Sequence, residues 1–269
     1  MDALLNKDKP EVRLRAFRAI DDPETCNKFV DGHLKVLTSI GVKKVTSSNN
    51  AWMYNPSSFV LIVESLDRSK VYGGARVHVA NGIIPLPVEE ATGSFDSGIY
   101  ETVYEYALKG TGEICGLWNS REIAGYGIGS IFLFRAAVAI STQIGLTSLF
   151  GLCAPYTLKM AQNVGFEVLE SVGNHGTFYY PKLDLLATAV YVTDIDTLKN
   201  SVEEDRRAIL KLRQNLQVVI SEELRNKQMT IHYDIAIPNL AAWSIQDVTT
   251  NLQRRLENAK VDEKNISFL

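Results

Sequence analysis

Three alternating glycines stand where a strand pattern gives way to a helix pattern. The run Gly125-Tyr126-Gly127-Ile128-Gly129-Ser130 follows residues 112–120, which read as a strand, and precedes residues 131–145, which read as a strongly apolar helix. Glycine lets the backbone approach a ligand closely and take up conformations closed to other residues. The first amides of the next helix lack internal partners, and with the helix dipole they form an anion site. A pyrophosphate is the natural occupant. The loop comes after several strands, not after the first. No acidic residue ends a second strand about 20 residues later, as a dinucleotide fold requires. The Lys-Ser/Thr pair of a triphosphate loop is missing as well. Position and order therefore disfavour NAD and ATP.

Other groups could do chemistry near such a loop. Arg76 and His78 lie two apart in the strand pattern 71–80 and so share a face. Arg76 can pair with a substrate carboxylate or with Glu113. His78 suits a substrate site or a structural role. Arg135 and Lys159 either reach phosphates or belong to solvated faces. His33, His78, His175 and His232 show no ligand spacing, and Cys26, Cys115 and Cys153 form no CxxC pair, so no metal site is expected.

The order strand, glycine loop, apolar helix resembles the GNAT superfamily of N-acetyltransferases. That family's signature, Arg/Gln-x-x-Gly-x-Gly/Ala, lies between its fourth strand and the following helix. Here it matches Ala124-Gly125-Tyr126-Gly127-Ile128-Gly129, and Gly165-Phe166-Glu167 matches the Gly-Phe pair that ends the next helix. The resemblance covers roughly residues 10–192. It implies an α+β fold, a mixed and mostly antiparallel sheet flanked by helices, with acetyl-CoA or acyl-CoA as cofactor and a small-molecule amine as acceptor. It places the amides of Gly125, Tyr126, Gly127, Ile128, Gly129 and Ser130 on the coenzyme pyrophosphate. The backbone of Leu117, Trp118 and Asn119 would pair with the pantetheine arm like an added strand.

The implied reaction is direct attack of the amine on the thioester. Glu113, beside the arm, takes the proton. Amides near Leu117 polarise the carbonyl, and Tyr156 returns a proton to the thiolate. Trp52 and Trp118 suit an acyl-pocket wall or the core. Two positions depart from the pattern: Ala124 replaces the leading Arg or Gln, and Ala161 replaces a Tyr four residues before Gly165. A non-catalytic acyl-CoA-binding protein is therefore an alternative. A fainter resemblance links YGGARVHVANGIIPLP, followed by a Glu-bearing strand, to acyl-homoserine lactone synthases. It sets Arg76 and Glu113 at matching places and implies S-adenosylmethionine as a substrate.

These residues need elements to position them. Alternation predicts strands over 11–20, 59–66 and 71–80, the last two a hairpin. Asp21, Asp22 and Pro23 open a helix that runs to about residue 40. Short helices are expected at 88–92 and 99–108, a buried strand at 146–153, a helix at 154–166, and strands at 166–171 and 177–192. A charged helix beginning near 194, a hairpin turned at 225–227 and a helix over 243–259 make a C-terminal helix-hairpin-helix extension. The division expected is a GNAT-like domain over 1–192 and an α/β extension over 193–269, the latter a possible homodimer contact.

The 269 residues are 46% apolar and 22% charged, with a net charge of −3. That is ordinary globular composition, and it disfavours nucleic acid, which needs a basic face. No stretch approaches the ~18 apolar residues of a membrane span, and the first residues lack the apolar core of a signal peptide. With widely spaced cysteines, this predicts a cytoplasmic protein.

Overall fold

The computed structural model describes residues 10–39, 41, 50–181 and 184–266. Strand β1 (Glu11–Arg18) buries Val12, Leu14 and Ala16, the alternate residues that its period of two turns inward. Helix α1 (Pro23–Ser39) starts where the Asp22 carboxylate accepts the Thr25 amide at 3.0 Å, with Pro23 in the first turn. It buries Cys26, Phe29 and His33 along one stripe. Strands β2 (Ser58–Glu64) and β3 (Val71–Val79) form the expected hairpin. Helices α2 (Pro87–Thr92) and α3 (Gly98–Ala107) occupy the loop-rich stretch before β4 (Thr111–Asn119).

A π-helical turn over Ile128–Phe132 leads into α4 (Leu133–Gln143). Strand β5 (Ser148–Cys153), helix α5 (Pro155–Asn163) and strands β6 (Glu167–Val168), β7 (Thr177–Tyr179) and β8 (Leu186–Val192) follow. Helix α6 (Glu203–Gln214), strands β9 (Gln217–Leu224) and β10 (Lys227–Asp234), and helix α7 (Ile245–Ile266) complete the chain.

One ten-stranded sheet organises the molecule, in the order β6-β8-β5-β4-β3-β2-β1-β10-β9, with β7 also on β8. The pairs β4–β5 and β1–β10 are parallel; the others are antiparallel. Strand β2 is buried on both faces. Phe59, Leu61 and Val63 join the cluster built on α4, while Val60 and Ile62 join Phe29, Trp52 and Trp118 beneath α1. Buried Arg135 of α4 ties α6 down through Asp205 at 2.6 Å and Glu204 at 3.2 Å, so it is committed there and not to a phosphate.

The structure departs from the sequence reading at several elements, among them the last helix, which runs to Ile266 and not to 259. Residues 177–192 are two strands that pair as a hairpin: the Tyr180 amide makes the last cross-strand bond, to Leu185 O at 2.9 Å, and Pro181 has no N–H to continue it. Of 166–171 only Glu167–Val168 is strand. Helix α6 begins at Glu203, not near 194, because Asp194 closes a turn on the Thr197 amide and Leu198 has a φ of 50°. No helix among the described residues is long and apolar enough to cross a membrane.

Candidate active site

Strands β4 and β5 start together and then part. They pair from Thr111↔Ser148 to Glu113↔Phe150, and beyond Glu113 the β5-facing edge of β4 has no strand partner among the described residues. On its other side β4 stays paired with β3, but the register shifts between Gly74 and Arg76, where Gly116 sits at φ 60°. Such a bulge bends the strand away from its neighbour. A Cβ at Gly116 would lie 3.0 Å from the Arg76 guanidinium, so only glycine fits there without a shift. The parting opens a cleft of about 350 Å³, floored by Glu113, Ile114 and Cys115 and walled by Leu117 to Asn119, Gly151 to Cys153, His33, Tyr156, Thr157 and Tyr180.

The glycine loop follows β4 directly. Gly125 and Gly127 both adopt left-handed backbone, at φ 85° and 82°. The amides of Ala124 and Tyr126 donate to Arg121 and Ile123, and those of Ser130 and Phe132 donate to Gly127. Those of Gly125, Gly127 and Ile128 have no backbone acceptor among the described residues. A left-handed glycine pair ahead of a helix start makes a concave set of N–H groups, the form of an anion nest.

Glu113 is 2% exposed and sits where the two strands separate. Its Oε2 accepts the Val88 amide at 2.7 Å. Burial pushes the carboxyl up to about 8. The Val88 bond and Arg76 oppose the rise, while nearby Glu89 and Glu90 add to it. Glu89 is itself pushed up to about 7 by burial. His33 lines the cleft and is pulled down to about 4 by burial and by Arg76, so it is neutral at pH 7. Its ring stacks on Trp118 at 6.4 Å and 24°. A Cβ at Gly32 would fall 2.1 Å from the Trp118 indole, which explains the glycine in mid-helix. Burial raises the thiols of Cys115 to about 12 and Cys153 to about 11. Both stay protonated at neutral pH and are poor nucleophiles.

The site residues expected from sequence fall into three groups. Glu113, Leu117, Trp118, Asn119 and Tyr156 line the cleft. Tyr156 is at its mouth, 83% exposed. Gly125 to Ser130 form the loop that follows the open part of β4. Arg76 and His78 lie elsewhere, buried beneath α1. The Arg76 guanidinium is 4.4 Å from the Trp52 ring centre and 5.6 Å from that of Phe29, and neither Arg76 nor His78 lines the cleft. Register explains this: Arg76 pairs with Cys115 and His78 with Glu113, so all four share the α1 face, but the two β3 residues are one strand further from the opening. Ala161 is fully buried in the core. Sequence reasoning missed His33, Thr157 and Tyr180, which are brought in from separate elements by the fold. The three- and four-residue spacing of Phe29, Gly32, His33 and Val36 on α1 was the available signal for His33. Among the described residues no cluster of His, Cys, Asp and Glu could hold a metal ion.

A parallel β4–β5 pair that splays over a cleft, followed by a glycine loop and a buried helix, is the acyl-CoA N-acyltransferase (GNAT) fold, and the chain has it. The N-acyl amino acid synthase FeeM from uncultured soil microbes aligns with a TM-score of 0.50 at 15% identity, over 76% of this chain and 97% of that one. The CoA-dependent acyl-homoserine lactone synthase BjaI aligns at 0.49 and 13% identity, over 80% and 95%. A spermidine N-acetyltransferase from Vibrio cholerae aligns at 0.39 and 14% identity, over 68% and 93%. No protein-family model and no curated protein sequence matches the chain. These likenesses are of fold; the chemistry has to be read from the site.

Proposed function

We propose that the chain is an acyl-CoA-dependent N-acyltransferase that moves an acetyl or longer acyl group to a small amine. The observation that carries this reading is the parting of β4 and β5, with Glu113 buried at its base and a left-handed glycine pair beyond its open end. In this reading the amides of Gly125 to Ser130 take the pyrophosphate, and the open edge of β4 at Leu117 to Asn119 takes the pantetheine arm. The thioester then lies in the cleft, whose volume of about 350 Å³ is at the low end of the roughly 300–1,000 Å³ of small-molecule sites. A short acyl group fits this better than a long one.

The amine nitrogen attacks the thioester carbonyl directly. Its proton passes to ionised Glu113, the C–S bond breaks, and the coenzyme thiolate takes a proton from Tyr156 at the mouth. Protonated Cys115 and Cys153 favour this route over an acyl-cysteine.

Titration calorimetry with acetyl-CoA and with longer acyl-CoAs tests the coenzyme half. Release of free thiol in the presence of a panel of primary amines tests the transfer half. Binding with amine-dependent thiol release is the expected result; absence of binding to any acyl-CoA would sink the reading. Buried Ala161 supports a second reading, binding without transfer, and its signature would be acyl-CoA binding with no thiol release from any amine. The synthase reading needs S-adenosylmethionine beside Arg76, which Trp52 and Phe29 enclose; that compound belongs in the same titration.

A further inference from the structure

The C-terminal hairpin reaches the glycine loop. The chain just past β10 bonds to the C-terminal end of α4, and the turn ahead of β10 meets the glycine loop that precedes α4. At the far end the Gln143 amide nitrogen donates to Ile235 O at 2.9 Å, and the Ile237 amide donates back to Gln143 Oε1 at 3.2 Å. At the near end the tight turn at Arg225 and Asn226, φ 52° and 65°, sets Leu224 and Lys227 against the loop. A Cβ at Gly127 would meet Leu224 at 3.0 Å, and one at Gly125 would meet Lys227 Nζ at 3.1 Å. Lys227 Nζ donates to Ala124 O at 3.4 Å and lies 4.7 Å from the Tyr126 ring centre.

We propose that Lys227 is a phosphate-binding residue of the coenzyme site, its ammonium pairing with the pyrophosphate held by the glycine loop. This rests on the coenzyme reading above. Lys227 has no carboxylate partner among the described residues; its contacts are a carbonyl and an aromatic face, both neutral. Its charge is therefore uncompensated beside amides that lack backbone acceptors. Ala124 brings no side-chain cation to the loop, and Arg135 of α4 is committed to Asp205 and Glu204. A lysine ammonium is a point charge well suited to phosphate oxygens. The coenzyme site is thus assembled from two distant parts of the chain.

The test compares wild type, Lys227→Gln and Lys227→Arg by titration calorimetry with CoA, 3′-dephospho-CoA and pantetheine. Lys227→Gln is expected to weaken CoA and 3′-dephospho-CoA equally, by about tenfold, the scale of one charge-assisted hydrogen bond. Pantetheine, which lacks the pyrophosphate, should bind both proteins alike, and Lys227→Arg should retain most of the affinity. Raising ionic strength should cost the Gln variant less than wild type. Lys227 is exposed, so an unchanged melting temperature is expected and shows that the loss is not one of folding. Unaltered CoA binding in Lys227→Gln overturns the proposal while leaving the coenzyme reading intact. A loss seen with CoA but not with 3′-dephospho-CoA also overturns it, by assigning Lys227 to the ribose phosphate. Wild type that fails to bind CoA overturns both.

Discussion

Glu113 is mostly protonated at neutral pH, and only its minor ionised form can accept a proton from an amine. With its carboxyl near 8, roughly a tenth is ionised at pH 7. The rate at low substrate should therefore climb with pH and level off above about 8. Glu113→Gln should lower kcat about 10²- to 10⁴-fold while leaving CoA affinity unchanged, as measured by thiol release and calorimetry. The same shift acts on stability. The folded carboxyl binds its proton more tightly than the unfolded one, which titrates near 4.5. Its contribution is full below about 4.5 and is lost as pH rises through about 8, at up to about 1.4 kcal/mol per pH unit. Glu89 and Glu90 of α2 face it with like charge, and Arg76 of β3 faces it with opposite charge. Glu89 shifts in the same direction, so Glu113→Gln should flatten the slope without abolishing it. Urea midpoints across pH 5 to 8 check this; equal slopes in both proteins would mean that Glu113 titrates normally. Glu113 stood out in the sequence as an acid on a strand, but its burial did not, because that depends on α2 packing its Val88 amide onto the carboxylate.

The glycine loop was legible because its chemistry is local: contiguous residues, alternating glycines and an apolar helix behind them. Its conformation makes a sharp prediction. Gly127 has φ 82°, and a Cβ there would meet the Phe132 ring at 2.6 Å. Left-handed backbone alone costs a non-glycine residue about 1–2 kcal/mol, and the ring must also move. Gly127→Ala should lower the melting temperature and weaken CoA binding together, seen by calorimetry on the two processes. The wedge between β4 and β5 was not legible. Gly116 in TGEICGLWN is the one local mark of the bulge opposite Gly74 and Arg76, but a lone strand glycine does not say that pairing with SLFGLC stops there. The break inside 177–192 carried a local warning in Pro181, which apolar alternation on either side concealed.

At the scale of the whole molecule, α4 is the shared support of sheet, glycine loop and α6. Arg135 and Asp205 are 9% and 5% exposed, and they join α4 to α6. Removing one partner of a buried pair costs about 3–5 kcal/mol, so Arg135→Ala should shift the urea midpoint strongly downward. The sequence showed Arg135 only as a basic residue in an apolar helix. Its partner lies 70 positions away, and no periodicity links the two. The pairing of β10 with β1 was hidden for the same reason: both strands alternate cleanly, but alternation does not say which strand is whose neighbour. Strand β9 is the edge strand at one end of the sheet. Its exposed positions, Gln217, Val219, Ser221 and Glu223, are mostly polar, as expected of an edge that resists indiscriminate pairing.

The parallel match of Glu11–Arg15 with residues 230–234 also bears on synthesis. A chain made from its amino end produces β1 and β2 well before β10, so the other side of β1 must wait for some two hundred further residues before its neighbour exists. Through that interval one flank of an apolar strand stays open, a template for the wrong strand or for another nascent chain. Closing it requires a contact between segments some two hundred residues apart, a kind that is slow to form. Messages truncated before β10 are therefore expected to yield aggregates that a chaperone must hold, even though they encode every strand of the cleft.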